Sequence, residues 1–242
     1  MIFFRRRSVV PLTPSLDYTV HVGSTPSTMS LSRSALSRSK RMLDVGLAGA
    51  LLVVTSPVWL VLAVAVRATT PGPVLFRQQR IGLGGVPFTV LKFRTMEHGA
   101  PEDAHERFVT TMISALPAMT STRGIHKMQD DLRITRVGRW IRRLSLDELP
   151  QMINVLRGEM SLVGPRPPLA YEVAKYQPWQ YERLAVRPGI TGLWQVSGRN
   201  RLTYFEMCEI DVLYVRSWSL WTDLRIILRT PWAMFFERGG AS

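Results

Sequence analysis

The chain has 242 residues, and its 31 lysines and arginines outnumber its 18 aspartates and glutamates, for a formal charge of +13. That length suits one ordinary domain or two small ones, and 46% hydrophobic content is enough to build a packed core. A single cysteine, Cys208, excludes an intrachain disulfide and a clustered-cysteine zinc site. The surplus of positive charge implies a polyanionic partner: nucleic acid, anionic lipid or a phosphorylated substrate.

The charge lies in two blocks, +6 over residues 1–41 and +6 over residues 136–201, with +2 between them and −1 after them. The first block reads as a tail. Ser24 to Ser39 holds seven serines and two threonines, with almost nothing apolar to bury. Met1-Ile2-Phe3-Phe4 ahead of Arg5-Arg6-Arg7 reverses the order of a secretory signal. Residues 1–38 are therefore expected to form a disordered basic, serine-rich tail suited to anionic membrane lipids.

From Val45 to Val66 the chain runs 22 residues without a charge. As a straight helix this is about 33 Å, enough to cross a bilayer. Pro57 interrupts it by removing a backbone donor, while Thr55 and Ser56 offer hydroxyls to the freed carbonyls. Basic residues flank both ends: Arg38, Lys40 and Arg41 before, Arg67, Arg77 and Arg80 after. Positive flanks favour the cytoplasmic side, so a helix that bends at Ser56-Pro57 and returns satisfies both observations; a kinked single-pass anchor is the alternative.

Residues 73–96 predict a β-hairpin turning at Gly82-Leu83-Gly84-Gly85, its second arm placing Lys92 and Arg94 on one face and Leu91 and Phe93 on the other. The basic face suits a phosphate or is simply solvated. Pro87 stands where a dinucleotide loop needs its third glycine. Residues 97–132 predict one or two surface helices and a loop, and His21, His98, His105 and His126 have no metal-ligand spacing.

Arg136, Arg139, Arg142 and Arg143 then precede the adjacent acids Asp147 and Glu148. Ser145-x-x-Glu148 matches a helix capping box, and Pro150 equally suits the start of a helix ending at Gly158. Carboxylates at a helix start are favoured as anions, and among arginines they serve as nucleophile or metal ligand toward phosphate. Further on, prolines on both sides of Arg166 restrict its guanidinium, whose planar fork suits phosphate or which only decorates a rigid turn. Arg187 to Asn200 is a glycine-punctuated loop containing Arg199. Trp218, Trp221, Leu224, Ile227, Leu228, Trp232 and Phe235 recur near helical spacing, as a membrane-interface stripe or a core stripe.

Six motifs stand in one order: Lys40-Arg41-x-x-Asp44 before Ser56-Pro57; Phe76-Arg77-Gln78-x-Arg80-Ile81-Gly82; Lys92-Phe93-Arg94-Thr95-Met96; Ser145 to Gln151; Gly164-Pro165-Arg166-Pro167; and Arg187-Pro188-Gly189-Ile190-Thr191-Gly192. Over roughly residues 40–240 the chain resembles the bacterial sugar transferases, the monotopic polyprenyl-phosphate phosphoglycosyl transferases. The resemblance implies a mainly α monotopic membrane protein with a small β-hairpin. Residues 39–68 would form a re-entrant helix broken at Ser56-Pro57, and residues 69–242 a cytoplasmic catalytic domain with C-terminal interfacial amphipathic helices. It implies an undecaprenyl-phosphate sugar-1-phosphate transferase at the bacterial inner membrane, catalytic domain facing the cytoplasm. The reaction moves a sugar-1-phosphate from a UDP-sugar to undecaprenyl phosphate with Mg²⁺, releases UMP, and begins exopolysaccharide, capsule or glycan assembly.

By the same resemblance Asp147 is the nucleophile that forms an aspartyl-phosphate sugar intermediate and the metal contact, and Glu148 orients the site or accepts a proton. Arg80, Lys92, Arg142 and Arg166 hold phosphates, Asp211 aligns with a late functional acid, and Arg199 joins the substrate-binding set. Glycosyltransferases and polysaccharide-assembly proteins are the further partners it implies. Leu144 departs from the family's usual threonine, and the basic tail stands where many relatives carry membrane helices. Two other readings remain: a non-catalytic, membrane-anchored assembly protein, and a membrane-tethered nucleic-acid binder. The second is disfavoured because the arginines cluster at an acidic pair that repels phosphates, so no nucleic-acid partner is expected.

Overall fold

The computed structural model describes residues 37–97, 99, 133–198 and 202–236; the serine-rich tail, all four histidines, the polar stretch 100–132 and Arg199 lie outside them. The described residues are mainly helical, as expected, with the predicted hairpin and a second strand pair that the sequence did not announce.

Helix α1 spans Arg38–Thr69 and is capped by Ser37, whose hydroxyl accepts from the Lys40 amide at 3.2 Å. Pro57 lies inside it and cannot donate to the Val53 carbonyl; the Ser56 hydroxyl does so instead at 2.8 Å, and Thr55 donates to Leu51 at 2.6 Å. One stripe of α1, through Lys40, Asp44, Ala48, Leu62 and Val66, is buried against the body. On the other side Val53, Val54, Leu60, Val61 and Val64 are 61–75% exposed, an apolar face that water does not stabilise and lipid does. By length and composition α1 could serve as a membrane anchor.

The motif at the start of α1 is a clasp. Buried Lys40 donates to Asp223 at 2.7 Å and to the Val163 carbonyl at 3.0 Å, and Asp44 accepts from the Leu162 amide and the Ser161 hydroxyl. Arg41 donates to the Val155 and Leu156 carbonyls, groups a helix end leaves unpaired. Lys40 and Arg41, which flank the apolar span, are thus also engaged with the body. The far end of α1 is held to the same body: Arg94 donates to the Thr70 and Pro71 carbonyls, and Trp59 meets Phe93 edge to face at 5.2 Å.

Strands β1 (Leu75–Ile81) and β2 (Pro87–Phe93) pair antiparallel, Phe76 opposite Lys92 and Arg80 opposite Phe88. The predicted division of β2 into a basic and an apolar face is revised. Arg94 is buried by its contacts to the end of α1, and Phe88 and Val90, which share Lys92's side of the pleat, lie in the main core. Helices α2 (Arg136–Arg143) and α3 (Gln151–Arg157) follow, with Gly158 in the left-handed conformation ending α3.

Strands β3 (Ser161–Val163) and β4 (Gly189–Thr191) pair in parallel. A Cβ on Gly164 would meet the Arg187 carbonyl oxygen at 2.4 Å, and one on Gly189 the Gly164 nitrogen at 2.1 Å. Backbone lies directly on backbone here, so the Gly164-Pro165-Arg166 and Arg187-Pro188-Gly189 motifs are two halves of one joint. The short helix α4 (Ala170–Val173), the turn of Pro178–Ala185, and helices α5 (Tyr204–Arg216) and α6 (Leu220–Phe236) complete the body. Thr203 and Glu206 form a capping box on α5. α6 divides the aromatic stripe: Ile226 and Ala233 are buried, while Trp221, Leu228 and Trp232 are exposed and Arg225 stacks over Trp221.

Candidate active site

The acidic pair is presented by an unusual turn. Helix α2 begins at Thr135, whose hydroxyl accepts from the Gly138 amide, and closes through Leu144 to the Trp140 carbonyl. Ser145 then takes φ 55°, the one non-glycine residue with positive φ among those described. It occupies the left-handed position that ends α2, and it makes no side-chain cap to the Leu146–Glu148 turn, so the expected capping box does not form. The backbone reverses there and carries Asp147 and Glu148, both half-buried, immediately ahead of α3.

Glu148 is met by Lys92 at 3.2 Å, joining the acidic turn to β2. The docking of α3 holds that meeting in place. Asn154, fully buried, accepts from the Leu91 amide at 3.1 Å and donates to the Thr89 carbonyl at 2.7 Å and to Glu159. Its amide thereby satisfies the free edge of β2, as a further strand would. Arg142, half-buried, lies three residues before Ser145. Leu144, which departs from the family's threonine, is 44% exposed.

A second group surrounds Arg166. Its guanidinium reaches Glu172 at 3.4 Å, and Glu172 is fully buried with the Tyr204 hydroxyl beside it. Arg183 forms a two-pronged pair with Asp211 at 2.7 and 3.0 Å and also donates to the Arg166 carbonyl at 3.4 Å. Burial pushes the Asp211 carboxyl up to about 6, against the opposing pull of Arg183. Asp211 is consequently a buried anchor under the Arg166 loop and not an acid presented to solvent. Arg80 is also engaged from below: it donates to the Pro167 carbonyl at 3.0 Å and to Gln78, tying β1 to the same loop. Burial raises the Cys208 thiol, which lies inert beside Arg183.

Most of the predicted residues therefore fall into two groups, one at each end of the β1–β2 hairpin. Lys92, Glu148 and Asp147 lie toward its open end, and Arg80 and Arg166 toward its turn, about 13 Å apart along four residues of strand. Arg199 lies outside the described residues. Asn154, Glu172 and Arg183 were not singled out from sequence. Asn154 and Glu172 had a faint signal, a lone polar side chain within an apolar run, whereas Arg183 in Tyr-Glu-Arg had none.

Among the described residues no three histidine, cysteine or acidic side chains gather to hold a metal. A hard cation that keeps most of its shell from water and diphosphate needs only one or two carboxylates, which is what the Asp147–Glu148 turn supplies.

Joined to an apolar helix held at both ends, this arrangement describes a helical protein that presents acids and arginines beside a membrane-anchor candidate. The chain belongs to the bacterial sugar transferase family, whose model matches residues 35–237. It is 42% identical over 201 residues to the exopolysaccharide production protein ExoY of Rhizobium meliloti, covering 83% of this chain and 87% of that protein. It is 43% identical over 210 residues to a UDP-glucose:undecaprenyl-phosphate glucose-1-phosphate transferase of Caulobacter vibrioides, covering 83% and 71%. It is 43% identical over 193 residues to the galactosyl transferase CpsE of Streptococcus agalactiae, covering 79% of this chain and only 41% of that protein.

Proposed function

We propose that the protein is an enzyme that transfers a sugar-1-phosphate from a UDP-sugar to undecaprenyl phosphate at the cytoplasmic face of the inner membrane. The reading is carried by the Asp147–Glu148 turn engaged by Lys92, on a body that grips both ends of an apolar helix. An Asp147 carboxylate oxygen attacks the sugar-bearing phosphorus, the bond to UMP breaks, and UMP leaves with the electron pair. The phosphate oxygen of the lipid then attacks the aspartyl-phosphate, regenerating Asp147. Lys92 engages Glu148 and so keeps the pair oriented, while Arg142 and, from the second group, Arg166 are assigned to the phosphates of the donor. Mg²⁺, bound at Asp147 with Glu148 adjacent, would neutralise phosphate charge as the leaving group departs.

The same reading makes α1 re-entrant. Lys40 and Val66 are 26 residues apart, about 39 Å if straight, yet both are fastened to one body. A crossing helix would place those ends on opposite sides of a core about 30 Å thick. A helix that enters and leaves on one side, bending at Ser56-Pro57, needs no such division of the body.

The test is UMP release from UDP-sugars by the full chain with undecaprenyl phosphate and Mg²⁺. Asp147→Asn is expected to abolish release while membrane association persists; a silent substitution would favour a non-catalytic anchoring role.

A further inference from the structure

The four arginines ahead of the acidic pair do not all serve it. Arg136, Arg139 and Arg143 fall with Trp140 on one arc of α2 and line a groove of about 410 Å³, whereas Arg142 lies off that arc. None of the three forms an ion pair with an acid among the described residues, and the guanidinium of Arg143 stacks over the Trp140 ring at 5.6 Å. Trp140 is itself 64% exposed. Three like charges on two turns repel one another unless an anion lies between them.

The orientation of this face is imposed by the opposite side of α2. Gly138 presses on β2's extension so closely that a Cβ would meet the Thr95 carbonyl oxygen at 2.0 Å. Ile141, buried, packs with Leu62 and Val66 of α1. Those residues are the last buried apolar positions before Arg67, where the uncharged span ends. α2 therefore lies at the level where the apolar helix meets water, with its arginines and tryptophan turned outward.

We propose that the Arg136–Arg139–Trp140–Arg143 face is a seat for the phosphate headgroup of anionic phospholipid. It is separate from the Asp147 site and independent of the chemistry proposed there. Guanidinium forks match a phosphodiester, an indole suits the headgroup region, and the level of α2 beside the end of the apolar span brings both to a leaflet surface.

The experiment uses the full chain in phosphatidylcholine vesicles and in vesicles with about one-third phosphatidylglycerol, a lipid each surface arginine attracts. The emission of Trp140 is read as the difference between wild type and Trp140→Phe, and quenching is compared for brominated phosphatidylglycerol and brominated phosphatidylcholine. Stronger quenching by the brominated anionic lipid is expected, reflecting on the order of ten-fold local enrichment, and lost in the Arg136→Gln/Arg139→Gln/Arg143→Gln variant, which still sediments with vesicles. Equal quenching by the two lipids would overturn the seat, as would no quenching by either. Protection of Trp140 by added UDP would overturn it too, by assigning the groove to the soluble donor. UMP release by the triple variant in detergent, away from any leaflet, is expected to be unchanged; its loss there would likewise place these arginines at the donor.

Discussion

Ser145 carries the sharpest local demand among the described residues, a left-handed backbone at a residue with a side chain, two positions before the proposed nucleophile. Such a conformation costs about 1–2 kcal/mol and persists where surrounding contacts enforce it. Ser145→Gly is expected to keep fold and UMP release. Ser145→Val, whose branched Cβ tolerates positive φ poorly, should lower the melting temperature and the rate together. On the proposed function Glu172 acts one step from the chemistry, by holding the Arg166 guanidinium. Glu172→Gln should raise KM for the UDP-sugar by about ten-fold with kcat nearly unchanged, the mark of weakened ground-state binding. For Asp211 the folded carboxyl titrates at about 6, above its unfolded 3.8, so the folded state holds the proton more tightly. Its contribution to stability is full below 3.8 and lost as pH rises through about 6. A series of melting curves over that range should show wild type losing stability relative to Asp211→Asn as pH rises.

At the scale of elements, the acidic turn depends on how α3 meets the hairpin. Asn154→Leu keeps the volume but strands the Leu91 amide and the Thr89 carbonyl, each costing about 1–3 kcal/mol when buried and unpaired. Lower thermal stability and a parallel loss of UMP release are expected. Helix α1 makes a topological prediction. Arg38→Cys and Arg67→Cys should both react with a membrane-impermeant maleimide applied from the cytoplasmic side, since Cys208 is buried and silent. Labelling of only one would mean that α1 crosses the bilayer. The apolar span, the hairpin, its glycine turn and the helix ending at Gly158 were legible in the sequence, because each rests on local periodicity or on residues with few backbone options. The β3–β4 pair was not, since strands of three residues carry no period and their pairing depends on glycines 25 positions apart. Nor was the fate of Ser145: the same residue suits a helix start or a left-handed end, and only the packing of α2 decides.

Over the whole molecule, the positive charge separates into distinct tasks. Lys40, Arg41, Arg94 and Arg183 are consumed in holding the body together, each with carbonyl or carboxylate partners. Lys92 and Arg166 are half-exposed beside the proposed donor site, and the outer arginines of α2 line a groove of their own with Trp140. The resemblance supplied the motifs that carry the candidate site and a role for Arg80 and Asp211, but spacing does not reveal that the fold encloses both side chains. The joint of β3 and β4 links these levels: the clasp from α1 ends on Leu162 and Val163, immediately before the loop of Arg166. A membrane-anchor candidate and a phosphate-binding candidate thus share one strand of three residues.

The central claim is that Asp147 becomes covalently bonded to the sugar-phosphate. It is tested most directly by incubating the full chain with Mg²⁺ and a panel of UDP-sugars in the absence of lipid acceptor, then measuring intact mass and UMP. Wild type is expected to gain the mass of one sugar-1-phosphate with release of one equivalent of UMP, and Asp147→Asn to show neither. An adduct that persists in Asp147→Asn, or UMP release that requires the lipid acceptor and leaves no adduct, would contradict it.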